Sequence, residues 1–400
     1  MLKNFLGRKV ALNAVTSLTL AGLIGAASSF IFWFISAHRA PISAVGHATV
    51  VVLVASVVNA VTSFGLTVGL LRAKARGALS RRSVLIAVGI SFIGSIAASA
   101  VACAYWNSDS LHDAGLTRLG IFISVAILSG TLAVSTLLDT LASSSDQLYF
   151  APLRNLGVLI LRTLFVLIIP ELTVPSLVLS FYAPLAISTA LALPRYLSRT
   201  TFSQSKHGDV RTILRESFGA WPASLVFSGI GLGLPLVVAL VVGPGGGATF
   251  YLMWNVALLS NSLIGAATSL GLAKLSEEEK ISSLGLNSHL MIWLSGVAVA
   301  GFGILAVLAF GSQYANLGLS AAPLVGLGFI PYGYLQYGVM GLRRQGRHGS
   351  AAIATSVVLV TMILLLLTAH SNELSVVALY WCVASSSGLI VQIFVQRAVR

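Results

Sequence analysis

Ionisable residues inside long apolar runs are the residues of this sequence that could do chemistry. Arg162 lies well inside such a run. An arginine at the centre of a membrane-spanning helix costs about 2.5 to 3.5 kcal/mol. A guanidinium suits the binding of an anion, because it stays charged and binds phosphate or carboxylate through two parallel N–H donors. The sequence therefore indicates Arg162 as a substrate-binding candidate, with a structural ion pair as the alternative.

One carboxylate also falls inside an apolar run. Asp139 is predicted about one turn from the end of its helix, and Arg154 is predicted at a similar depth on the following helix. Because two consecutive helices form a hairpin, we expect an ion pair between Asp139 and Arg154 that locks it. The alternative role for Asp139 is the binding of a coupling proton or cation, and Arg154 could also contact a bound anion.

Further polar residues near or inside the apolar runs could contact a ligand. Arg39 lies at the first outer turn, where it could meet an anionic head group or simply extend its charge to the membrane surface. The amide side chains of Asn59, Asn255 and Gln336 could bind a sugar or hydrogen-bond between helices. Metal-spaced ligands, a phosphate-binding glycine loop and a nucleophile motif are not found in the sequence, so we expect neither a cofactor nor an enzyme.

Composition defines the elements that must position these residues. Of 400 residues, 56% are hydrophobic and 9% are charged, with a mean hydropathy of +0.93. Since lipid cannot satisfy backbone polar groups, apolar runs of about 20 residues must be helices. We predict an all-α polytopic membrane protein with about twelve spans: 15–37, 46–71, 83–106, 119–141, 153–169, 175–193, 218–242, 249–272, 288–310, 319–341, 350–369 and 374–395.

The distribution of basic residues gives the orientation. With the amino terminus in the cytoplasm, all 24 lysines and arginines except Arg39, Arg118 and Arg162 fall on the cytoplasmic side. Both termini are therefore predicted to be cytoplasmic. A net charge of +13 could indicate nucleic-acid binding in a soluble protein, but here the charges form short clusters between apolar runs, so no nucleic-acid partner is expected.

The longest hydrophilic connection divides the chain into two halves. We predict a six-helix half over residues 1–193, a cytoplasmic linker over 194–217 and a second six-helix half over 218–400. Arg211 and Arg215 are four residues apart, so they share one face of a helix. That face could lie along anionic lipids of the inner leaflet, or the linker could be a solvated connector that carries orientation signals.

Several stretches resemble a known family when they are taken in order. They are Ser63-Phe64-Gly65-Leu66 to Leu71-Arg72; Pro152-Leu153-Arg154-Asn155-Leu156 with Leu161-Arg162; Pro222 to Leu240 followed by Gly243-Pro244, Phe250-Tyr251 and Trp254; and Phe310-Gly311-Ser312-Gln313-Tyr314-Ala315 with Pro323-Leu324, Pro331 and Arg343-Arg344-Gln345-Gly346-Arg347. Together they resemble bacterial polysaccharide flippases, of the O-antigen and teichoic-acid type, in the multidrug/oligosaccharidyl-lipid/polysaccharide exporter superfamily.

The resemblance implies a function in the bacterial cytoplasmic membrane. Such a protein would flip an undecaprenyl-diphosphate-linked oligosaccharide from the inner to the outer leaflet by alternating access, for export of a cell-surface polysaccharide. Its expected partners are the lipid-linked oligosaccharide, anionic lipids, and a polysaccharide polymerase or glycosyltransferases. The alternatives are another secondary transporter, either a drug exporter of the same superfamily or a major-facilitator protein, a glycan ligase or polymerase, and a membrane scaffold.

Overall fold

The computed structural model describes residues 2–105, 115–143, 149–199, 210–258, 286–344, 347–369, 371 and 373–397, and its regular elements are all helical. The all-α polytopic prediction is confirmed. In chain order the helices are α1 (Leu2–Arg39), α2 (Ile42–Thr62), α3 (Leu66–Ala75), α4 (Arg81–Tyr105), α5 (Arg118–Ser143), α6 (Phe150–Ile168), α7 (Val174–Arg199), α8 (Val210–Ser228), a π-helix (Gly229–Gly233), α9 (Leu234–Val242), α10 (residues 244–258), α11 (Leu286–Ala309), α12 (Ser312–Gly318), α13 (Ala321–Arg344), α14 (His348–Ala369) and α15 (Leu374–Arg397).

Most predicted spans correspond to helices that can cross a bilayer. Within the described ranges, 10 helical stretches are long and apolar enough to do so. The pair α12 and α13, bent by 53° at a short break, raises the number to 11. The predicted eighth span, 249–272, begins in α10 and continues into residues 259–285, which lie outside the described residues. Lys206, Lys274 and Lys280, which are predicted to lie on the cytoplasmic side, are also outside the described residues.

The second predicted span differs from the structure at its end. It was expected to continue to Leu71, whereas α2 ends at Thr62 and a separate helix begins at Leu66. Phe64 and Gly65 between them have φ angles of 45° and 67°. A Cβ on Gly65 would lie 2.4 Å from the carbonyl oxygen of Ser217 in α8. Glycine is therefore required here for both its left-handed backbone and the close approach of another helix.

The helices form two compact units. The first contains Met1–Ser36 and Val51–Ser228, and the second contains Ala37–Val50 and Gly229–Arg400. In the first unit α4 packs on α5, α3 packs on α8, and α7 packs on both α5 and α6. In the second unit α13 packs on α11 and α15, and α14 packs on α15. The division into six-helix halves at residues 193 and 218 stays a prediction.

An aromatic cluster forms part of the core of the second unit. Trp254, Phe329, Tyr332 and Trp381 are all at most 3% exposed, with neighbouring ring centroids 5.0 to 5.6 Å apart. The indole N–H of Trp254 donates to the carbonyl oxygen of Gly231 at 2.8 Å. Because a π-helix departs from the i→i−4 hydrogen-bonding pattern, this bond from outside the helix helps to satisfy its backbone.

Candidate functional site

Arg154 is the centre of a hydrogen-bonded network in the first unit. Its Nη2 donates to Asp139 Oδ2 at 2.7 Å and to Asn155 Oδ1 at 2.7 Å, and its Nη1 donates to Thr189 Oγ1 at 3.2 Å. Asn155 Nδ2 in turn donates to the carbonyl oxygen of Ala21 at 2.9 Å. The expected ion pair between Asp139 and Arg154 is confirmed. The network joins α1, α5, α6 and α7, which is more than the hairpin predicted from the sequence.

The ion pair retains unused hydrogen-bonding capacity. The side chains of Arg154 and Asp139 are 5% and 17% exposed. Asp139 Oδ1 and Arg154 Nε are buried atoms that have no hydrogen-bond partner. A buried polar atom without a partner costs about 1 to 3 kcal/mol, and such atoms often mark a functional position. The free oxygen of Asp139 is an atom on which a proton could be taken up, so the coupling alternative stays open beside the structural one.

Arg162 lies about two helical turns after Arg154 along α6, in the same unit. The residue is 6% exposed. Its Nε donates to the carbonyl oxygen of Phe181 at 2.9 Å, its Nη1 lies 3.4 Å from Ser28 Oγ, and its guanidinium carbon lies 3.8 Å from the centre of the Phe181 ring. These contacts join α6 to α7 and α1. They include a hydrogen bond, a long hydroxyl contact and a cation–π interaction.

The carbonyl that Arg162 contacts belongs to a helix that contains an internal proline. Pro184 lies three residues after Phe181 in α7. Proline provides no backbone N–H and crowds the carbonyl oxygens of the preceding turn. The N–H missing at Pro184 would have bonded the carbonyl oxygen of Ser180, four residues earlier, so the Phe181 carbonyl is the one that follows the freed group. Arg162 thus hydrogen-bonds a backbone carbonyl close to this proline, a partner different from the side-chain carboxylate of the ion-pair hypothesis.

The other candidate residues lie in both units. Asn59, in the first unit, has a buried Oδ1 without a hydrogen-bond partner. Asn255, in the second unit, donates to the carbonyl of Tyr251 in its own helix at 2.9 Å. Gln336 is 5% exposed in α13, and Arg39 is exposed at the end of α1, both within the second unit. Asp139, Arg154 and Arg162 belong with Asn59 to the first unit.

A second ion pair was not anticipated from the sequence. The guanidinium of Arg76, directly after α3, binds both carboxylate oxygens of Glu216 in α8, and Arg76 Nη2 lies 3.0 Å from Glu216 Oε2. The hydrogen bonds that Arg76 donates to Glu216 lower the pKa of Glu216 from its ordinary value, and the same bonds raise the pKa of Arg76. The two residues are 140 positions apart. Proximity in sequence therefore offered no signal for this pair.

Metal ligation has no support in the described part of the chain. No group of three or more His, Cys, Asp and Glu side chains is close enough there to hold a metal ion. Cys103 and Cys382 are both free thiols.

Comparison with known proteins relates the chain to a fold. No protein-family model and no curated protein matches the sequence. Solved structures do match. An inward-facing multidrug resistance MATE family transporter of the MOP superfamily aligns with 98% of this chain and 98% of its own, at a TM-score of 0.63 and 14% identity. An outward-facing structure of such a transporter aligns with 98% and 96%, at a TM-score of 0.61 and 13% identity.

A third neighbour comes from an archaeon. A MOP superfamily transporter from Pyrococcus furiosus, described as having a binding pocket of reverse polarity that suggests a different function, aligns with 98% of this chain and 96% of its own. Its TM-score is 0.56 at 14% identity. The fold of this chain is thus that of MATE transporters of the MOP superfamily, the superfamily that the sequence motifs resemble.

Proposed function

We propose that this protein is a secondary transporter that moves its substrate across the membrane by alternating access. The observation that carries the proposal is the alignment of nearly the whole chain with transporters described in both inward-facing and outward-facing conformations. A protein that can adopt both conformations exposes one binding site to each side of the membrane in turn. Localisation in a bacterial cytoplasmic membrane is part of the proposal; it rests on the resemblance to bacterial polysaccharide flippases, and the positive-inside distribution of charge supports the orientation.

The first candidate for the substrate is an amphipathic small molecule that is exported. Two of the structural neighbours are described as multidrug resistance transporters. This is the drug-exporter alternative raised from the sequence, and the structural likeness favours it over polysaccharide flipping. Asp139 is the single acidic residue inside the described spans, and it already pairs with Arg154. The described spans therefore contain no second carboxylate that could bind a cationic drug.

The second candidate is a lipid-linked oligosaccharide with a diphosphate, and the charge of the first unit favours it. Arg154 and Arg162 are both buried within apolar helices, and the one carboxylate of the described spans, Asp139, pairs with Arg154 alone. Two guanidinium groups suit a diphosphate better than a cation. The Pyrococcus neighbour, described as having a binding pocket of reverse polarity, supports the view that this fold accommodates pockets of more than one polarity.

Transport measurements with the purified protein separate the two candidates. The full chain is reconstituted into liposomes, a pH gradient is imposed, and accumulation of a fluorescent organic cation and of an organic anion is followed. Gradient-driven movement of the cation supports drug export. In parallel, the gene is deleted in a strain without a redundant flippase, and lipid-linked oligosaccharide is measured on the cytoplasmic leaflet. Its accumulation supports flipping, and the absence of both effects would reject the proposal.

Arg162 is the residue whose substitution tests the anionic substrate. If it binds the substrate, Arg162→Ala should lower transport of the lipid-linked glycan by on the order of 100-fold, since a charged hydrogen bond contributes about 1.5 to 3 kcal/mol. The protein should still insert and remain abundant. Arg118→Ala, at an exposed position outside the unit core, is the matched control and should transport normally. Unchanged transport by the Arg162 variant would remove this residue from the mechanism.

A further inference from the structure

The exposed face of α8 combines basic and aromatic side chains in the order expected at a membrane surface. Arg211, Arg215 and Phe218 are spaced four and three residues apart and are all exposed, Phe218 by 50%. This spacing places them on one face of the helix. The opposite face carries Ile213 and Ser217, which are 4% and 0% exposed and pack toward α3. α8 therefore has one face fixed to its unit and one basic face exposed.

The adjoining helix adds further positive charge. Arg72 in α3 is exposed, and its charge acts on Glu216 together with the charges of Arg76 and Arg215. Arg76 neutralises Glu216 by binding both of its oxygens. Glu216 is the acidic residue among the described residues of α3 and α8. The surface made of Arg72, Arg211, Arg215 and Phe218 is here called the α8 surface, and the described residues of α3 and α8 contain more basic than acidic side chains.

The position of the α8 surface along the chain determines which anion can reach it. The apolar span that continues from α8 begins at Ser224. At 1.5 Å per residue, Phe218 precedes this span by about 9 Å and Arg215 precedes Phe218 by about 5 Å. Phe218 also packs against Phe64 and Trp221, with ring centroids 5.7 and 6.4 Å away. Tryptophan side chains next to a span, as Trp221 is, favour the interfacial layer, and basic residues just beyond that layer are attracted by anionic lipid head groups.

We propose that the α8 surface binds the head groups of anionic phospholipids in the leaflet beside it. The arginines contact the lipid phosphates, while Phe218 lies among the glycerol and upper acyl-chain atoms. A soluble anion would use the charges but not the half-exposed aromatic ring, which is why a lipid is favoured over free phosphate or a soluble polyanion. The positive-inside distribution places this leaflet on the cytoplasmic side, where anionic lipids attract basic residues. This inference concerns the first unit alone and is independent of the transported substrate.

Thermal unfolding of the full-length protein in neutral detergent tests the proposal. Phosphatidylglycerol is titrated in, and phosphatidylcholine with the same acyl chains serves as the comparison. Phosphatidylglycerol should raise the unfolding midpoint, and the effect should be lost at an ionic strength of about 1 M, where the Debye length is about 3 Å. In R211Q/R215Q, the half-effective lipid concentration should rise about 25-fold, since each of the two basic residues near a membrane surface contributes about fivefold to binding.

Matched variants make the result specific. R211K/R215K keeps both charges and should respond like the unchanged protein. R118Q/R397Q removes two exposed arginines elsewhere and should also respond normally. The proposal is overturned if R211Q/R215Q responds like the unchanged protein, or if R118Q/R397Q loses as much. It is likewise overturned if inorganic phosphate or a short double-stranded oligonucleotide stabilises the protein as well as phosphatidylglycerol does.

Discussion

Arg154 and Asp139 form an ion pair in a buried position, where the desolvation of each charge is unfavourable. Moving two charges out of water costs several kcal/mol for each ion, and their attraction repays this cost only if further hydrogen bonds are present. Arg154 has such bonds to Asn155 and Thr189. Asp139, by contrast, keeps one oxygen without a partner. The pair is therefore incompletely satisfied, which suits either a group that titrates during transport or a structural contact of limited net benefit.

We predict strong coupling between these two residues in a double-mutant cycle. D139L or R154M alone should destabilise the protein by about 3 to 5 kcal/mol, because each leaves an uncompensated buried charge. D139L/R154M should recover most of that loss, because an apolar pair replaces both charges. The measurement is the unfolding midpoint of the four proteins in the same detergent. Additive effects of the two single substitutions would contradict a direct interaction.

The same double variant separates the two functions considered for Asp139. If the carboxylate only holds the network together, D139L/R154M should transport an organic cation, which Arg154 would not bind, like the unchanged protein. If the carboxylate takes up a coupling proton, the variant should fold normally and yet lose transport driven by a pH gradient. R118Q, a substitution at an exposed position, is the control variant and should transport like the unchanged protein.

Residue types predicted some of these contacts and not others. Asp139 and Arg154 are opposite charges at similar depths of one hairpin, so their pairing could be inferred from spacing alone. The partner of Arg162 could not be inferred, because it is a backbone carbonyl 19 residues away, and every residue has one. The internal Pro184 indicates only that the carbonyl of Ser180, four residues earlier, loses its helical donor, and Ser180 is not the residue that Arg162 contacts.

At the scale of the helices, the junction between α2 and α3 depends on a single glycine. Gly65 adopts a φ of 67° and leaves no room for a Cβ beneath the Ser217 carbonyl. Gly77, after α3, has a similar φ of 68°, but an added Cβ there would meet nothing within 4 Å. The two positions share the same backbone conformation and differ in packing.

We predict that Gly65→Ala lowers the unfolding midpoint much more than Gly77→Ala. Both substitutions cost about 1 to 2 kcal/mol for a left-handed backbone. The change at Gly65 also forces α3 and α8 apart, and overpacking of a tight contact typically costs a further 1 to 3 kcal/mol. Thermal unfolding of both variants in one detergent provides the measurement. Equal shifts of the two unfolding midpoints would show that α8 moves away from the added methyl group at little energetic cost.

This junction also explains where hydropathy was insufficient. Residues from Leu66 to Leu71 are nearly as apolar as those of α2, so a hydropathy profile predicts a single span that ends at Leu71. The break arises from the backbone at Phe64 and Gly65 and from packing against α8. A hydropathy profile contains neither piece of information. The longer, uninterrupted helices α4, α5 and α6 begin and end within a few residues of their predicted limits, because there the apolar length alone determines the span.

For the whole molecule, the number of membrane crossings depends on the chain between α10 and α11. The described part of α10, residues 244–258, is about 22 Å long, less than the roughly 30 Å of a hydrocarbon core. The twelve-span prediction requires the chain to complete this crossing before α11 begins. If it does, six spans separate Glu171 from Glu373, and both residues lie on the outer side. If it does not, the number is odd and they lie on opposite sides.

We predict that cysteines at these two positions are both labelled from outside the cell. In a C103A/C382A background, E171C and E373C should react with a membrane-impermeant maleimide added to intact cells, because both glutamates are exposed between spans. S198C, exposed at the predicted cytoplasmic end of α7, is the control and should react only after permeabilisation. Labelling of E171C but not E373C in intact cells would mean that the eighth crossing is not completed. The reverse pattern for all three positions would leave the number of crossings intact and overturn the orientation derived from the basic residues.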